Sequence, residues 1–389
     1  MISYGKQTIN QSDIDSVIKI LKSELITQGP AVEKFENNLK NVFGSKYACA
    51  VSNGTAALHL VAKVLNWSRG DIILTTPNTF LATANCIEYV GASVDFIDID
   101  SKEYTIDLNI LEERVLSYRK KGKNIKAVIA VDYAGHPCDW DALRKLADRY
   151  EFYLINDNCH ALGASYKKDM KYAIRYADFV TQSFHPVKLI TTGEGGAIIT
   201  NDLKNYERIR ILRSHGILQG DKYIDSVHGP WYYEMHELGY NYRITDFQCA
   251  LGSNQLKKIQ KFISKRKKIA SLYNRFFSQK NYFTIPYVNK SVNHAYHIYP
   301  LCIKFKELNI SKINFFNYML KNKIKLQVHY IPVHLQPYYK SKYKFKNGDC
   351  PVSEKFYEQE ISLPIYPKLK LVDQKLVISK ITEYFNNMI

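Results

Sequence analysis

The 389-residue sequence lacks any apolar run that approaches the length of a membrane span. Its first residues, Met1-Ile-Ser-Tyr-Gly-Lys, lack the charged and apolar regions of a signal peptide. It also lacks internal repeats and low-complexity segments. These absences argue against membrane, secreted and repeat proteins, and we expect a cytoplasmic protein. With 46% hydrophobic and 23% charged residues, the chain has an ordinary globular composition and is long enough for two domains.

Cysteine is scarce and scattered. The seven cysteines are odd in number, and no two of them form a Cys-x-x-Cys pair. This argues against a disulfide framework and against a zinc site. His329 and His334 lack a third ligand at a suitable spacing, so we predict no metal.

Acidic residues are too few to balance the basic ones. The chain has 54 Lys and Arg residues against 37 Asp and Glu residues, which gives a formal net charge of +17. Such a charge suits a nucleic-acid-binding protein. The lysines are spread along the chain, however, and no recognition helix, RNP motif or zinc finger accompanies them. We therefore predict no nucleic-acid partner, and note that a basic protein also suits an anionic small substrate.

Predicted strands alternate with predicted helices from residue 47 to about residue 213, a pattern typical of a parallel sheet covered on both faces. Ligands of such sheets bind beyond the carboxyl ends of the strands. Gly54 and Thr55 follow one predicted strand, Phe80 follows another, and Asp157 and His160 follow a third. We therefore expect these residues at one edge of the sheet.

Lys188 lies on the short connection between two further predicted strands, 177–183 and 195–200. Pro186 restricts the backbone just before the lysine, so the connection is expected to be held in place. An amine presented at a strand end among apolar neighbours loses its proton easily and attacks carbonyl groups. Lys188 is therefore the candidate nucleophile.

After residue 213 the regular alternation of predicted strands and helices ends. Residues 214–245 form an irregular, aromatic and glycine-rich stretch, which predicts a functional loop or an arm between subunits. A long helix is predicted from Asp246 to about Phe277. Strands at 297–305 and 325–330 and helices at 311–321, 353–358 and 372–385 then predict a smaller α/β domain. We divide the chain into a large domain, 1–250, and a small C-terminal domain, 251–389.

Pyridoxal 5'-phosphate (PLP) is a cofactor whose binding requires four groups at one site. They are a lysine amine, an anion-binding turn, an aromatic face and a buried carboxylate. The helix start at Gly54-Thr55, helped by Ser183, is predicted to hold the phosphate. Phe80 is predicted to stack on the ring, and Asp157 to keep the ring nitrogen protonated. Lys188 is predicted to form the Schiff base and to move a proton during the reaction.

Six stretches resemble, in order and spacing, the DegT/DnrJ/EryC1/StrS sugar-nucleotide aminotransferases, which are PLP enzymes of fold type I. They are Ser52–Ala57, Thr76–Thr83, Asp157–Ala164, Ser183–Gly196, Arg213–Gly216 and Gly239–Asp246. The resemblance covers nearly the whole chain. It implies a large, mostly parallel seven-stranded sheet domain and a smaller C-terminal α/β domain.

The resemblance also implies partners and further site residues. The stretches 184–196 and 328–334 look most like the members of pseudaminic acid biosynthesis, which move the amino group of L-glutamate to C4 of a UDP-linked 4-keto-6-deoxy-N-acetyl-hexosamine. It implies a homodimer in which Asn241 reaches the phosphate of the partner subunit, and it places His160 near the ring hydroxyl. The sugar-nucleotide pocket is implied to include Tyr4, Thr27, Gly54, Ser183, Asn241, His329 and Tyr330.

Two related activities are alternatives. A sibling aminotransferase would act on another 4-keto sugar nucleotide, such as a precursor of bacillosamine or aminoarabinose. A PLP-dependent sugar dehydratase is disfavoured, because in those relatives a histidine replaces the lysine found here at position 188. Leu189 departs from the family pattern, since many relatives have proline after the lysine.

Overall fold

A computed structural model describes residues 1–218 and 229–388 of the chain. The strands are β1 Ile2–Ser3, β2 Tyr47–Val51, β3 Ile72–Thr75, β4 Ser93–Phe96, β5 Ile125–Val131, β6 Tyr153–Asp157, β7 Ser165–Tyr166, β8 Phe179–Ser183, β9 Gly196–Thr200, β10 Ile217–Leu218, β11 Glu234–Met235, β12 Phe283–Thr284, β13 Val292–Asn293, β14 Tyr299–Ile303, β15 Ile324–Lys325 and β16 Glu360–Leu363.

The helices are α1 Gln11–Leu21, α2 Pro30–Phe43, α3 Gly54–Val64, α4 Leu81–Tyr89, α5 Leu108–Lys120, α6 Trp140–Tyr150, α7 Tyr172–Tyr176, α8 Leu203–Arg213, α9 Asp246–Leu256, α10 Ile259–Phe277, α11 Lys312–Lys321, α12 Pro337–Tyr343, α13 Pro351–Gln359 and α14 Leu371–Asn386. Short 3₁₀ helices cover Tyr133–Gly135 and Val333–Leu335.

A seven-stranded sheet with the order β2-β9-β8-β6-β5-β3-β4 forms the centre of the molecule. Strands β8, β6, β5, β3 and β4 are parallel, and β9 is antiparallel to both of its neighbours. The mostly parallel seven-stranded fold is thus confirmed. The alternating pattern alone predicts a parallel sheet, and β9 is the exception because residues 184–195 contain no crossover helix, which a parallel connection needs.

The reversal of β9 determines which strand ends meet. Because β2 and β8 both pair antiparallel with β9, they point in the same direction. The carboxyl ends of β2, β3, β6 and β8 therefore lie at one edge of the sheet, together with the start of β9. The residues predicted to follow these strands are brought to this common edge.

Helices cover both faces of the sheet because its strands are apolar on both sides. In β2, Ala48 and Ala50 pack into a core shared with α2, α6 and α9, whereas Cys49 and Val51 pack into a second core with α3, α4 and α8. A third core lies between α10, α11, α14 and the antiparallel sheet β12-β14-β16.

The first residues of the chain contact this third region. Strand β1 pairs in parallel with β15, so that Ile2 lies opposite Ile324. The next residue, Tyr4, accepts a hydrogen bond from the backbone N–H of Ile365 at 3.0 Å through its carbonyl oxygen. Among the described helices, none combines the length and the apolar character needed to cross a bilayer.

Three predictions of secondary structure need correction. The long helix predicted from Asp246 is two helices, α9 and α10, and the apolar pattern hides the break because Leu256 and Ile259, on either side of it, are buried in the same core. Of the predicted strand 325–330, only Lys325 lies in a strand, Ile324–Lys325, and Gln327 forms an isolated bridge with Ser362. The irregular stretch 214–245 contains the antiparallel pair β10-β11, and its residues 219–228 lie outside the described residues.

The division at residue 250 stays a proposal. Residue 250 lies inside α9, which packs against α1 and α2. The core beneath the seven-stranded sheet extends along α10 to Ile263, and the third core begins at Ile269.

Candidate active site

The connection between β8 and β9 presents Lys188 at the edge where the strand ends meet. The N–H of Phe184 donates to the carbonyl oxygen of Gly195 at 2.8 Å, and the N–H of Thr192 donates to the carbonyl oxygen of Phe184 at 3.0 Å. These bonds close the base of the connection. Leu189, which stands where many relatives have proline, is buried in the core and thus anchors the turn by packing.

The environment of the Lys188 amine favours its neutral form. Burial lowers the pKa of Lys188, although Cys159 and Asp157 nearby act in the opposite direction. An amine with a lowered pKa exists as the free base for a larger fraction of the time and attacks carbonyl carbon more readily. The structure thus places Lys188 and Asp157 close enough to interact.

Asp157 ends β6 with only 5% of its surface exposed. Its Oδ2 accepts a hydrogen bond from Thr83 Oγ1 at 2.7 Å, and its Oδ1 accepts one from the N–H of Cys159 at 3.3 Å. Thr83 Oγ1 is also 2.8 Å from Thr79 Oγ1. These contacts fix the carboxylate, and sequence reasoning missed the part played by Thr83.

The turn from β2 into α3 forms a cradle beside Ser183. The side chain of Asn53 caps the helix by accepting a hydrogen bond from the N–H of Ala56 at 2.8 Å. In the described part of the chain, no acceptor is found for the N–H groups of Gly54 and Thr55. A Cβ atom at Gly54 would lie 2.9 Å from Ser183 Cβ, so a side chain there would crowd this space. Free N–H groups at a helix start, next to a hydroxyl, bind anions.

His160 is buried and held as one neutral tautomer. Its Nδ1 accepts a hydrogen bond from the N–H of Ala134 at 3.3 Å, which leaves the proton on Nε2. Nε2 lies 3.1 Å from the hydroxyl of Tyr330. Burial lowers the pKa of His160 far below its usual value, and Lys188 and His329 act in the same direction.

His329 is held by a chain of polar groups that the sequence did not reveal. Its Nδ1 lies 2.7 Å from Ser362 Oγ, which itself donates to Glu360 Oε1 at 2.5 Å. When Glu360 is ionised it accepts the serine proton, and Nδ1 of His329 then donates to Ser362 Oγ. Glu360 Oε2 accepts from the backbone N–H of His329 at 2.9 Å. Nε2 is left as an acceptor, and burial lowers the pKa of His329 to about 3.

Two aromatic side chains lie close to these histidines. Phe80 precedes α4 with 56% of its surface exposed, and its ring centroid is 6.3 Å from that of Tyr330. The Tyr4 ring lies 5.1 Å from the ring of His329. An exposed phenylalanine at this edge offers a flat face to a ligand, whereas a core phenylalanine would be covered.

Two predicted site residues are exposed on the surface of the single chain. Thr27 is exposed and forms an isolated bridge with Thr245, and Asn241 is exposed and forms one with Ser214. Within residues 1–218 and 229–388, neither makes a hydrogen bond or ring contact with Lys188.

The residues at this edge fit PLP. The half-buried amine of Lys188 suits covalent attachment, and the fixed carboxylate of Asp157 suits a ring nitrogen. The cradle at Gly54, which a Cβ atom would fill, suits a phosphate group.

Proteins similar to this chain in sequence and in structure include sugar aminotransferases. The chain is 42% identical over 361 residues to the uncharacterized protein MJ1066 of Methanocaldococcus jannaschii, covering 93% of this chain and 92% of that protein. It is 40% identical over 380 residues to the UDP-4-amino-4,6-dideoxy-N-acetyl-beta-L-altrosamine transaminase of Campylobacter jejuni, covering 97% and 96%. Helicobacter pylori PseC, an aminotransferase involved in the biosynthesis of pseudoaminic acid, superposes with a TM-score of 0.90 at 30% identity, covering 99% of both chains.

Residues 7–382 match the DegT/DnrJ/EryC1/StrS aminotransferase family, whose members depend on PLP. The match spans the sheet edge with Lys188 and Asp157 as well as the smaller C-terminal region. The chain therefore belongs to the DegT/DnrJ/EryC1/StrS family and is a PLP-dependent sugar aminotransferase.

Proposed function

We propose that this aminotransferase moves the amino group of L-glutamate to C4 of a UDP-linked 4-keto-6-deoxy-N-acetyl-hexosamine. The product would be UDP-4-amino-4,6-dideoxy-N-acetyl-beta-L-altrosamine, a precursor of pseudaminic acid. The observation that carries the proposal is the meeting of Lys188 and Asp157 at one sheet edge beside His329 and Tyr330. Two named relatives support the choice of sugar, one through sequence and one through structure.

Lys188 is the proposed catalytic residue. PLP, when bound, supplies an electron sink for the carbanion at the α-carbon of the amino acid. The Nζ atom of Lys188 would hold the resting cofactor. Once freed by the amino donor, it would take the proton from the donor's α-carbon as a base and give it to the cofactor as an acid, and in the second half-reaction it would move a proton from the cofactor to C4 of the sugar. Its lowered pKa suits this work, because a general base must be unprotonated near neutral pH.

The other residues are proposed to bind and orient the cofactor. Asp157 keeps a proton on the ring nitrogen, since a fixed negative charge raises the pKa of a nearby base. Gly54, Thr55 and Ser183 hold the phosphate, and Phe80 covers one face of the ring. His160, through its Nε2–H, is available to the ring hydroxyl, where Tyr330 is its present partner.

The sugar nucleotide is proposed to lie against Tyr4, Thr27, His329 and Tyr330. With Nδ1 committed to Ser362, His329 offers Nε2 as an acceptor for a donor group of the sugar. Ser362 and Glu360 act as positioning residues because they fix which nitrogen of the ring carries the proton. Burial raises the pKa of Glu360 to about 8, and its hydrogen bonds from Ser362 and His329 act against that shift.

Ser362→Ala tests this positioning. Without the serine oxygen, Nδ1–H of His329 loses its acceptor, and the imidazole is free to place its proton on Nε2. We expect KM for the sugar nucleotide to rise about tenfold, the equivalent of about 1.4 kcal/mol for one lost hydrogen bond, with kcat little changed. Ser362→Thr retains the hydroxyl and is expected to behave like the wild type. An unchanged KM in Ser362→Ala would contradict the role given to this chain of groups.

A homodimer with shared active sites is part of the proposal. On α1 and just after it, Ile14, Ile18, Leu21, Leu25 and Ile26 are apolar residues that remain exposed in the single chain. Trp231, at 78% exposure, and Leu238, at 74%, lie on the segment that leads to Asn241. Apolar surface of this kind favours association, and contact with a second subunit would bring Asn241 to the partner's phosphate site.

Product analysis tests the substrate. The purified enzyme with PLP and L-glutamate is incubated separately with the UDP-linked 4-keto-6-deoxy sugar proposed here and with the keto precursors of bacillosamine and aminoarabinose. We expect the highest kcat/KM with the first, and an axial or equatorial C4 amine assigned by NMR spectroscopy identifies the epimer. Preference for another keto sugar would replace the proposed substrate but keep the aminotransferase. Absence of amino transfer to all of them would remove the proposed function.

A further inference from the structure

Glu360 is a fully buried carboxylate at the far end of the chain of groups that holds His329. Its Oε2 accepts a hydrogen bond from the backbone N–H of His329 at 2.9 Å, and its Oε1 lies 2.5 Å from Ser362 Oγ. Ser362 Oγ in turn lies 2.7 Å from Nδ1 of His329. Two hydrogen bonds, one on each side of the serine oxygen, therefore link the carboxylate to the imidazole.

Each of these two hydrogen bonds needs one proton, and the protonation of Glu360 decides where both protons lie. When Glu360 is ionised, the Ser362 hydroxyl donates to Oε1 and Nδ1–H of His329 donates to Ser362 Oγ, which leaves Nε2 as an acceptor. When Glu360 is protonated, its proton belongs on Oε1, because Oε2 accepts from the N–H of His329. Oε1–H then donates to Ser362 Oγ.

In this second state the Ser362 proton has one acceptor left. Within the described part of the chain, Ser362 Oγ has no third hydrogen-bond partner, so its hydroxyl turns toward Nδ1 of His329. Nδ1 must then be unprotonated, and a neutral imidazole carries its proton on Nε2 instead. Nε2 thus becomes a donor.

The surroundings of Glu360 bring both states within reach of the enzyme. Burial raises the pKa of Glu360 to about 8, while hydrogen bonds from Ser362 and His329 and the charge of Lys312 on α11 act against that shift. Burial lowers the pKa of Lys312, which the charge of Glu360 opposes. Four further groups interact with this charge: Tyr104, Tyr133, Tyr330 and Cys302. Burial raises the pKa of all four, so they stay neutral while Glu360 titrates.

We propose that protonation of Glu360 reverses the polarity of His329, so that Nε2 accepts a hydrogen bond from the sugar nucleotide when Glu360 is ionised and donates one when Glu360 is protonated. One proton is taken up in the change. It binds at Nε2, the Nδ1 proton passes to Ser362 Oγ, and the Ser362 proton passes to Glu360 Oε1. The effect on the substrate rests on the proposed contact between His329 and the sugar. The rise in KM expected for Ser362→Ala applies to the ionised state, in which Nδ1–H is the donor.

Neutron diffraction tests the proton positions without substrate. Crystals of the PLP-loaded enzyme are equilibrated in deuterated solutions at about pH 6.5 and about pH 9.5, on either side of the titration. We expect deuterium on Nε2 of His329 at the lower pH and on Nδ1 at the higher pH. Deuterium on the same nitrogen at both pH values would overturn the proposal.

Glu360→Gln is expected to hold the second state at both pH values. The N–H of His329 needs an oxygen at the Oε2 position, so the amide NH2 group faces Ser362 and donates to it. At about pH 9.5, KM for the sugar nucleotide should be about tenfold higher in this variant than in the wild type, because one hydrogen bond is lost. At about pH 6.5 the two KM values should be equal, since both enzymes then carry the proton on Nε2.

Comparison of two enzymes at the same pH cancels the titration of the substrate and of other residues. Glu383→Gln, which changes an exposed glutamate on α14, should match the wild type at both pH values. Deuterium that moves with pH while the KM ratio stays constant would support the proton transfer and remove the proposed contact between His329 and the sugar. Deuterium that stays in place would overturn the inference and leave the proposed aminotransfer intact.

Discussion

Lys188→Ala is expected to abolish amino transfer. Proton transfer by a positioned side chain contributes about 10²–10⁴-fold to a rate, so kcat should fall by at least that factor, and the loss of covalent attachment adds to it. The visible absorption of the wild-type holoenzyme should be lost or shifted, and L-glutamate should no longer change it on the time scale of turnover. Steady-state assays and absorption spectra measure both effects.

Two control experiments test whether the effect is specific to Lys188. Lys120→Ala, an exposed lysine at the end of α5, should leave both the rate and the spectrum unchanged. On the proposed homodimer, mixed dimers of Lys188→Ala with Asn241→Ala should recover part of the activity. One of the two sites would then have both an intact lysine and an intact asparagine from its partner. Activity of Lys188→Ala within tenfold of the wild type would show that another amine performs the chemistry.

Asp157→Asn is expected to have the second-largest effect. Asparagine keeps the size of the side chain and an oxygen for Thr83. It removes the negative charge that is proposed to hold a proton on the ring nitrogen. Removal of one pre-organised electrostatic group costs on the order of 10²–10³ in kcat. Measurements of kcat with saturating glutamate and sugar nucleotide test this value.

Thr83→Val separates the charge of Asp157 from its positioning. The substitution removes the 2.7 Å hydrogen bond from Thr83 to Asp157 but leaves the carboxylate in place. We expect a smaller loss of activity than in Asp157→Asn, because the carboxylate keeps its charge and loses one hydrogen bond. Equal losses in the two variants would mean that the position of the carboxylate matters as much as its charge.

The candidate site could be predicted from the sequence because of the geometry of parallel strands. Gly54, Phe80, Asp157 and Ser183 each follow or end a strand, and strands that point the same way deliver such residues to one edge whatever their order in the sheet. The antiparallel β9 does not disturb this rule, because it begins at the same edge and contributes only its first residue, Gly196. No knowledge of the strand order was needed.

The residues that hold the side chains of Asp157 and His329 in place could not be predicted in this way. Thr83 lies on a buried face of α4. From the sequence alone, a threonine that holds a carboxylate there cannot be told from one that only packs. Glu360 and Ser362 contact His329 only after the chain has folded back, and His329 itself follows a strand shorter than predicted. One signal was available: Glu360 and Ser362 are two residues apart in a buried strand, and polar residues on one face of such a strand require a polar partner.

The pairing of β1 with β15 constrains the order in which the polypeptide is assembled during translation. Ile2 leaves the ribosome long before Ile324, the residue that lies opposite it in the strand pair. Strand β1 therefore has no β15 to pair with until Ile324 has been synthesised. A nascent chain stalled before residue 324 would lack this docking, and with it the contact of the Tyr4 ring with His329.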